Sequence, residues 1–148
     1  MTNAFEAVYQ QELMIRASYD LAEAAGIDEA KEAARTEIRE LWNGLEAKGK
    51  AYNRIYRDYK NSRDKGNEYI DLHDVIWDKD VEDLITCMRE NGIERFTFSS
   101  GWSSAVETAW LFQENGCKLE DLIQINGDED IWHAGQYEKI PAYLFSIN

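Results

Sequence analysis

Cysteine is nearly absent. The 148 residues hold only Cys87 and Cys117, too few and too far apart for a CxxC metal knuckle or a disulfide framework, so a reducing cytoplasm is the expected compartment. No apolar run approaches the ~18 residues of a membrane span, and the opening MTNAFEAVYQQE has neither a basic start nor a continuous apolar stretch. A soluble protein that stays where it is made is expected. Histidine is equally sparse: His73 and His133 offer no HExxH spacing, and no G-x-S-x-G elbow supports a hydrolase. No resident cofactor or metal is expected. Positive charge is short as well, with 16 Lys and Arg facing 29 Asp and Glu for a formal charge of −13. With 44% apolar and 12% aromatic residues, disorder is excluded. At this length, folding buries roughly 68–70% of the extended chain's surface, enough for a core.

The acids are unevenly placed. Residues 1–66 carry 12 acids against 11 bases, whereas residues 67–148 carry 17 against 5. Patterning changes at the same point, from helical periodicity to short β-rich runs alternating with short amphipathic helices. Two units follow: a helical hairpin over 1–66 and an acidic βαβαββ domain over 67–148. The expected class is α+β, or α/β, with an antiparallel helical hairpin followed by a small mixed sheet.

In the first unit a helix is predicted over 4–25, opened by Asn3 and Glu6 in capping-box spacing and stopped at Gly26. A second is predicted over 28–62, with Gly44 and Gly49 as places for a kink or break. In the second unit the pattern reads strand 69–76, helix 79–91, strand 93–99, helix 104–115, strand 119–126, a loop over 127–140 and strand 142–147. Val106, Ala109 and Trp110 are predicted to face the sheet from the later helix. The N-terminal hairpin is the candidate cover for the sheet's other face. The first three strands are expected to be parallel, with the last as an antiparallel edge.

Parallel strands send their exit loops to one edge, where open α/β sheets bind ligands. That rim would gather Trp77, Asp78 and Asp80 from the first loop, Ser100 and Trp102 from the second, and Asp128, Glu129, Asp130 and Trp132 from the third. Asp78 or Asp80 with Asp128 and Asp130 could cradle Mg²⁺ for phosphoryl chemistry, in the general layout of Toprim-type domains. The glycine and basic residues of that layout are missing, and acids at a helix start also serve as caps. The serines of FTFSSGWSSAVE lack the spacing and lysine of a P-loop, and Ser104 with Glu107 reads as a capping box. Residues 48–65 hold seven bases and two acids. Lys50, Arg54, Arg57 and Lys60 could form a nucleic-acid strip with interleaved tyrosines, although docking on the molecule's own acidic half is favoured over direct nucleic-acid binding.

The leading expectation is a non-enzymatic interaction protein that docks its acidic, tryptophan-rimmed surface on a basic partner, such as a nucleic-acid-handling enzyme. The alternatives are a Mg-dependent phosphotransfer or nuclease-like enzyme and an oligomeric helical adaptor. The oligomeric state is not legible. The run VEDLITCMRENGIERFTFSSGWSSAVETAWLFQENGCKLEDLIQING, closing with KIPAYLFSIN, resembles small acidic proteins carried on conjugative and other mobile elements of Gram-positive bacteria. The resemblance covers residues 69–148 and implies a mobile-element accessory protein, a class that includes antirestriction and anti-CRISPR inhibitors. It implies no catalytic residue.

Overall fold

A computed structural model describes residues 3–73 and 76–148. Helix α1, Ala4–Ala25, starts where Asn3 Oδ1 accepts from the Glu6 backbone N–H at 3.0 Å, and it stops at Gly26, whose φ of 70° is left-handed. The short turn at 26–27 leads into α2, Asp28–Ala47, and the two form the expected hairpin. The long second helix does not run through. It continues past Gly44 but breaks at Gly49, where φ is 104°, and α3 restarts as Lys50–Asp64. Because a glycine meets positive φ without a Cβ clash, the chain can change direction there.

After α3 come strand β1 (Ile70–His73), a 3₁₀ turn at Asp78–Asp80, α4 (Val81–Glu90), β2 (Arg95–Ser99), α5 (Ala105–Glu114), β3 (Cys117–Glu129) and β4 (Tyr137–Ile147). The part of the predicted first strand at 74–75 lies outside the described residues. The sheet order is β1-β2-β4-β3, with β1 parallel to β2 and β4 antiparallel to both β2 and β3. The last strand is therefore internal and β3 is the edge. Half of the expected loop is strand, since β3 and β4 pair as far as Glu129 and Tyr137. The only proline, Pro141, falls where β4 pairs with β3 alone, a stretch that tolerates a missing donor better than a strand flanked on both sides.

One sheet face is aromatic. Ile70, Phe96 and Phe145 share one register level, and Leu72, Phe98 and Tyr143 the next. Phe112 of α5 enters this layer, its ring centroid 5.0 Å from Phe96, 5.5 Å from Phe98 and 5.4 Å from Phe145. Val81, Leu84, Ile85 and Met88 of α4 extend it. Ile55, Tyr56 and Tyr59 of α3 and Phe5 of α1 continue it, so one core joins the two halves.

The helical hairpin does not cover the second face. Instead α3 packs beside α4 and along the free edge of β1, where Ser62 Oγ accepts from Asp71 N–H at 2.9 Å and Arg54 Nη2 donates to His73 O at 3.0 Å. These bonds occupy edge groups that would otherwise invite strand pairing. The second face carries Asp71, Thr97 and Leu144 at one level. Beyond Tyr143 the β3–β4 hairpin outruns β2. Asn126 nevertheless bonds to Lys65 and Asn67 at the entry to β1, so the hairpin bends back across the sheet and buries Ile125 and Ala142. No helix among the described residues is long and apolar enough to cross a membrane.

Candidate functional site

The predicted rim divides into two places. Since β1 and β2 run parallel, the loops bearing Trp77, Asp78 and Asp80 and bearing Ser100 and Trp102 leave the sheet at the same end. The strand β3 has that same direction, but its exit loop lies elsewhere. Its flanking residues Asn126 and Tyr137 are tied to Lys65, Asn67 and Asp64 at the opposite, entry end of β1. Asp128, Glu129, Asp130 and Trp132 are thus carried away from the other two loops by the bend of the hairpin, which the expected parallel run of the first three strands did not include.

Within that third loop the acids shape the turn. Asp130 accepts from Trp132 N–H at 2.8 Å and lies 3.1 Å from His133 Nδ1. Chiefly the Trp132 amide, and then the imidazole, hold its carboxyl below the ordinary range. Glu129 accepts from Gly135 N–H at 2.7 Å. Asp78 and Asp80 sit in the 3₁₀ turn before α4. Among the described residues no three carboxylate, imidazole or thiol groups converge to hold a metal ion, so the four aspartates do not assemble the expected cradle. Ser100 Oγ accepts from Trp102 N–H at 3.1 Å, and Ser104 stands at the start of α5 without a side-chain cap.

The two loops that do share an end adjoin a surface that the sequence misassigned. Val106 and Trp110 do not face the sheet; they are 67% and 58% exposed, and Trp102 is 61% exposed. The buried stripe of α5 is instead Thr108 and Phe112, flanked by Ala105 and Ala109. Phe112 fixes the helix's rotation because its ring fits between three phenylalanines of the sheet. The spacing of four residues then sets Val106 and Trp110 on one outward flank of α5, and Trp102 is exposed in the loop just before the helix. The helix α5 packs on β3, whose Leu119 and Leu122 are also exposed. By register with Phe145 and Tyr143 these leucines share the helix-bearing face of the sheet. Glu107 and Glu114 are exposed on α5, while Glu120 pairs with Arg95 at 3.3 Å and Asp121, in register with Leu144, lies on the other face of β3. The result is apolar anchors among carboxylates, the composition of a docking surface.

Part of the basic segment pairs with acids of the same chain. Lys50, Arg54 and Arg57 line a cleft of about 550 Å³ together with Glu46, Asp80 and Asp83. Lys50 Nζ stands 4.0 Å from Asp80, and Arg54 pairs with Asp58 at 2.9 Å. Lys60 leaves the strip altogether: it pairs with buried Glu12 at 3.3 Å and lies 5.9 Å from the centroid of Trp42. Tyr52, Tyr56 and Tyr59 are buried in the core, so they present no faces for stacking bases.

Behind the strand exits lies a polar network that no spacing in the sequence announced. Asp71 accepts from Thr97 Oγ1 at 2.7 Å and from Ser99 Oγ at 2.6 Å, and His73 Nδ1 is 2.7 Å from Ser99 Oγ. Burial raises the Asp71 carboxyl above its ordinary range, against the pull of the two hydroxyls. Serine, not histidine, is the middle member of this chain. The imidazole Nδ1 is spent on the hydroxyl and the carboxylate does not orient the ring, so the group lacks the arrangement of a nucleophilic triad. Ser99 is also buried. The network joins β1 to β2.

No curated protein and no solved structure matches the chain. A family model described as a domain of unknown function, DUF7698, matches residues 54–147, from within α3 through β4. With most of its length inside that match, the chain belongs to the DUF7698 family.

Proposed function

We propose that the chain is a non-enzymatic binding protein that docks the acidic, tryptophan-bearing flank of α5 and the adjoining edge of β3 on a basic protein partner. The observation that carries this reading is the outward pair Val106 and Trp110, with Trp102 exposed just before the helix, beside the exposed Glu107 and Glu114. Tryptophan anchors supply contact energy in a desolvated centre, and a charged surround steers association and excludes wrong partners. A nucleic-acid-handling enzyme has the required basic surface. The resemblance to mobile-element proteins favours that partner class, with the chain as its inhibitor. The enzymatic alternative has less support, because among the described residues no three acids converge as a metal cradle would need.

An affinity pull-down from host lysate, with and without nuclease, tests the proposal. A partner retained after nuclease treatment, released by salt, and lost with Trp102→Ala/Trp110→Ala is the expected result. Both side chains are largely exposed, so the double variant keeps its fold. A partner held equally by the double variant, or one that disappears with nuclease, would overturn the reading.

A further inference from the structure

Helix α1 is apolar on two sides. One side, with Phe5, Tyr9, Ile15 and Ala22, is buried. The other faces solvent, and it repeats at heptad spacing through Met14, Ala17, Leu21 and Ala24, the pattern of a coiled-coil seam. Met14 and Leu21 are 71% and 73% exposed, and Leu13 and Ile27 flank them, also exposed. A helix that needed only the hairpin partner would be polar here. In a chain with 30% charged residues, Asp20 is the one charge along this seam between Leu13 and Ile27.

We infer that this face pairs with the same face of a second copy of the chain, two α1 helices crossing antiparallel at Ala17. The seam is close to symmetric about that residue, with Leu13 and Leu21 four positions to either side and Gln10 and Ala24 seven. A twofold axis through Ala17 sets Leu13 of each copy against Leu21 of the other, as an isologous contact requires. The small side chain lets the backbones approach at the crossing. Antiparallel pairing sets Asp20 against Met14, whereas parallel pairing sets Asp20 against Asp20. With Asp20 as its single charge, the seam also fits a second copy better than a basic partner, since two chains of charge −13 meet at least cost where few acids face each other.

Charge gives the pairing a signature opposite to that of the α5 surface. Screening weakens attraction to a basic partner, but it relieves repulsion between two acidic copies. Sedimentation equilibrium of the purified full chain should show a monomer–dimer equilibrium that added salt shifts toward the dimer. Met14→Glu/Leu21→Glu should abolish the dimer while circular dichroism stays unchanged, because both positions are exposed. Ala17→Cys should form an intermolecular disulfide and Leu13→Cys should not. A wild-type chain that remains monomeric at high micromolar concentration and high salt overturns the inference, as does a dimer that survives the double glutamate substitution. Crosslinking through Leu13→Cys overturns the antiparallel arrangement.

Discussion

The side-chain amide of Asn67 pairs with the backbone of Asn126 as a neighbouring strand would. Its Oδ1 accepts from Asn126 N–H at 2.8 Å, and its Nδ2 donates to Asn126 O at 3.1 Å. The two residues are 59 positions apart, and the pair closes the bent hairpin onto the entry of β1. Asn126 adds a third bond, from Nδ2 to Lys65 O at 2.7 Å.

Asn67→Ala removes both halves of the amide pair and leaves two partly buried backbone groups without their partner. A loss of about 1–3 kcal/mol in urea unfolding is expected. Asn67→Asp keeps the acceptor but loses the donor, so it should fall between the wild type and Asn67→Ala. Equal stability of all three proteins would show that the hairpin is held by Ile125 and its apolar neighbours alone.

Glu12 is 1% exposed, and three donor side chains surround its carboxylate. It accepts from Tyr56 Oη at 2.5 Å and Arg16 Nη2 at 2.8 Å, with Lys60 Nζ at 3.3 Å. Burial, reinforced by the carboxylate, pushes the Tyr56 phenol upward. Glu12→Ala strands the half-buried Lys60 and the buried phenol, and should cost about 3–5 kcal/mol. Tyr56→Phe removes one donor and leaves two cations on the carboxylate, at about 0.5–1.5 kcal/mol. Guanidinium denaturation of the two variants checks the order, and a larger loss in Tyr56→Phe would contradict it.

The local signals in the sequence were the durable ones. Asn3 and Gly26 bound α1 because capping and positive φ act within a few residues, and Gly49 breaks the long helix for the same reason, whereas the Glu6 carboxylate expected in the capping box goes instead to Arg63 and Tyr59. The class of fold was legible through the change in period near residue 66. What could not be read were effects that depend on distant fits. Trp110 looks more apolar than Thr108, yet the pocket formed by Phe96, Phe98 and Phe145 selects Phe112 and rotates Trp110 outward. The outer part of the β3–β4 hairpin reads as a loop because Asp128 and Glu129 are solvated, leaving no apolar alternation to mark a strand. The bend that separates Trp132 from Trp77 and Trp102 brings Asn126 and Tyr137 onto Asn67, Lys65 and Asp64, and the Asn67 side chain carries no sign in the sequence of where it will bond.

Two sets of carboxylates give stability opposite slopes in acid. Glu6 is held down from 4.5 to about 2, first by the Arg63 guanidinium, whose Nη2 and Nε donate at 2.8 and 3.0 Å, and then by the hydroxyl of Tyr59. A carboxyl depressed on folding stabilises above its unfolded pKa, and that contribution drains away as pH falls from about 4.5 to about 2. Asp58 and Asp71 are raised by burial, against Arg54 for the first and against Ser99, Thr97, His73 and Lys65 for the second. For them the charged form costs stability, and the cost is relieved as pH falls through the raised value toward 3.8. Glu6→Gln should therefore be less stable than wild type at pH 6 and close to it near pH 2. Asp71→Asn should lose part of the gain that wild type shows on mild acidification. A pH series of urea midpoints measures both, and a Glu6→Gln deficit of constant size across that range would rule out the Arg63 pairing as its source.

Gly44 and Gly49 are five residues apart and should respond to alanine with opposite sign. Gly44 lies inside α2 with open space where a Cβ would stand and no positive φ. Alanine there restricts the unfolded chain and favours the helix, so Gly44→Ala should stabilise by about 0.4–1 kcal/mol. Gly49 also has open space, but its φ is 104°, which an L side chain seldom adopts. Gly49→Ala must either hold that strained backbone, at about 1–3 kcal/mol, or straighten α2 into α3 and pull Tyr52, Ile55 and Tyr56 from the core. Both routes destabilise, so the thermal midpoints of the two variants should lie on either side of wild type. A stabilised Gly49→Ala would mean that the interhelix break is dictated by packing of α3 on β1 and not by the left-handed glycine.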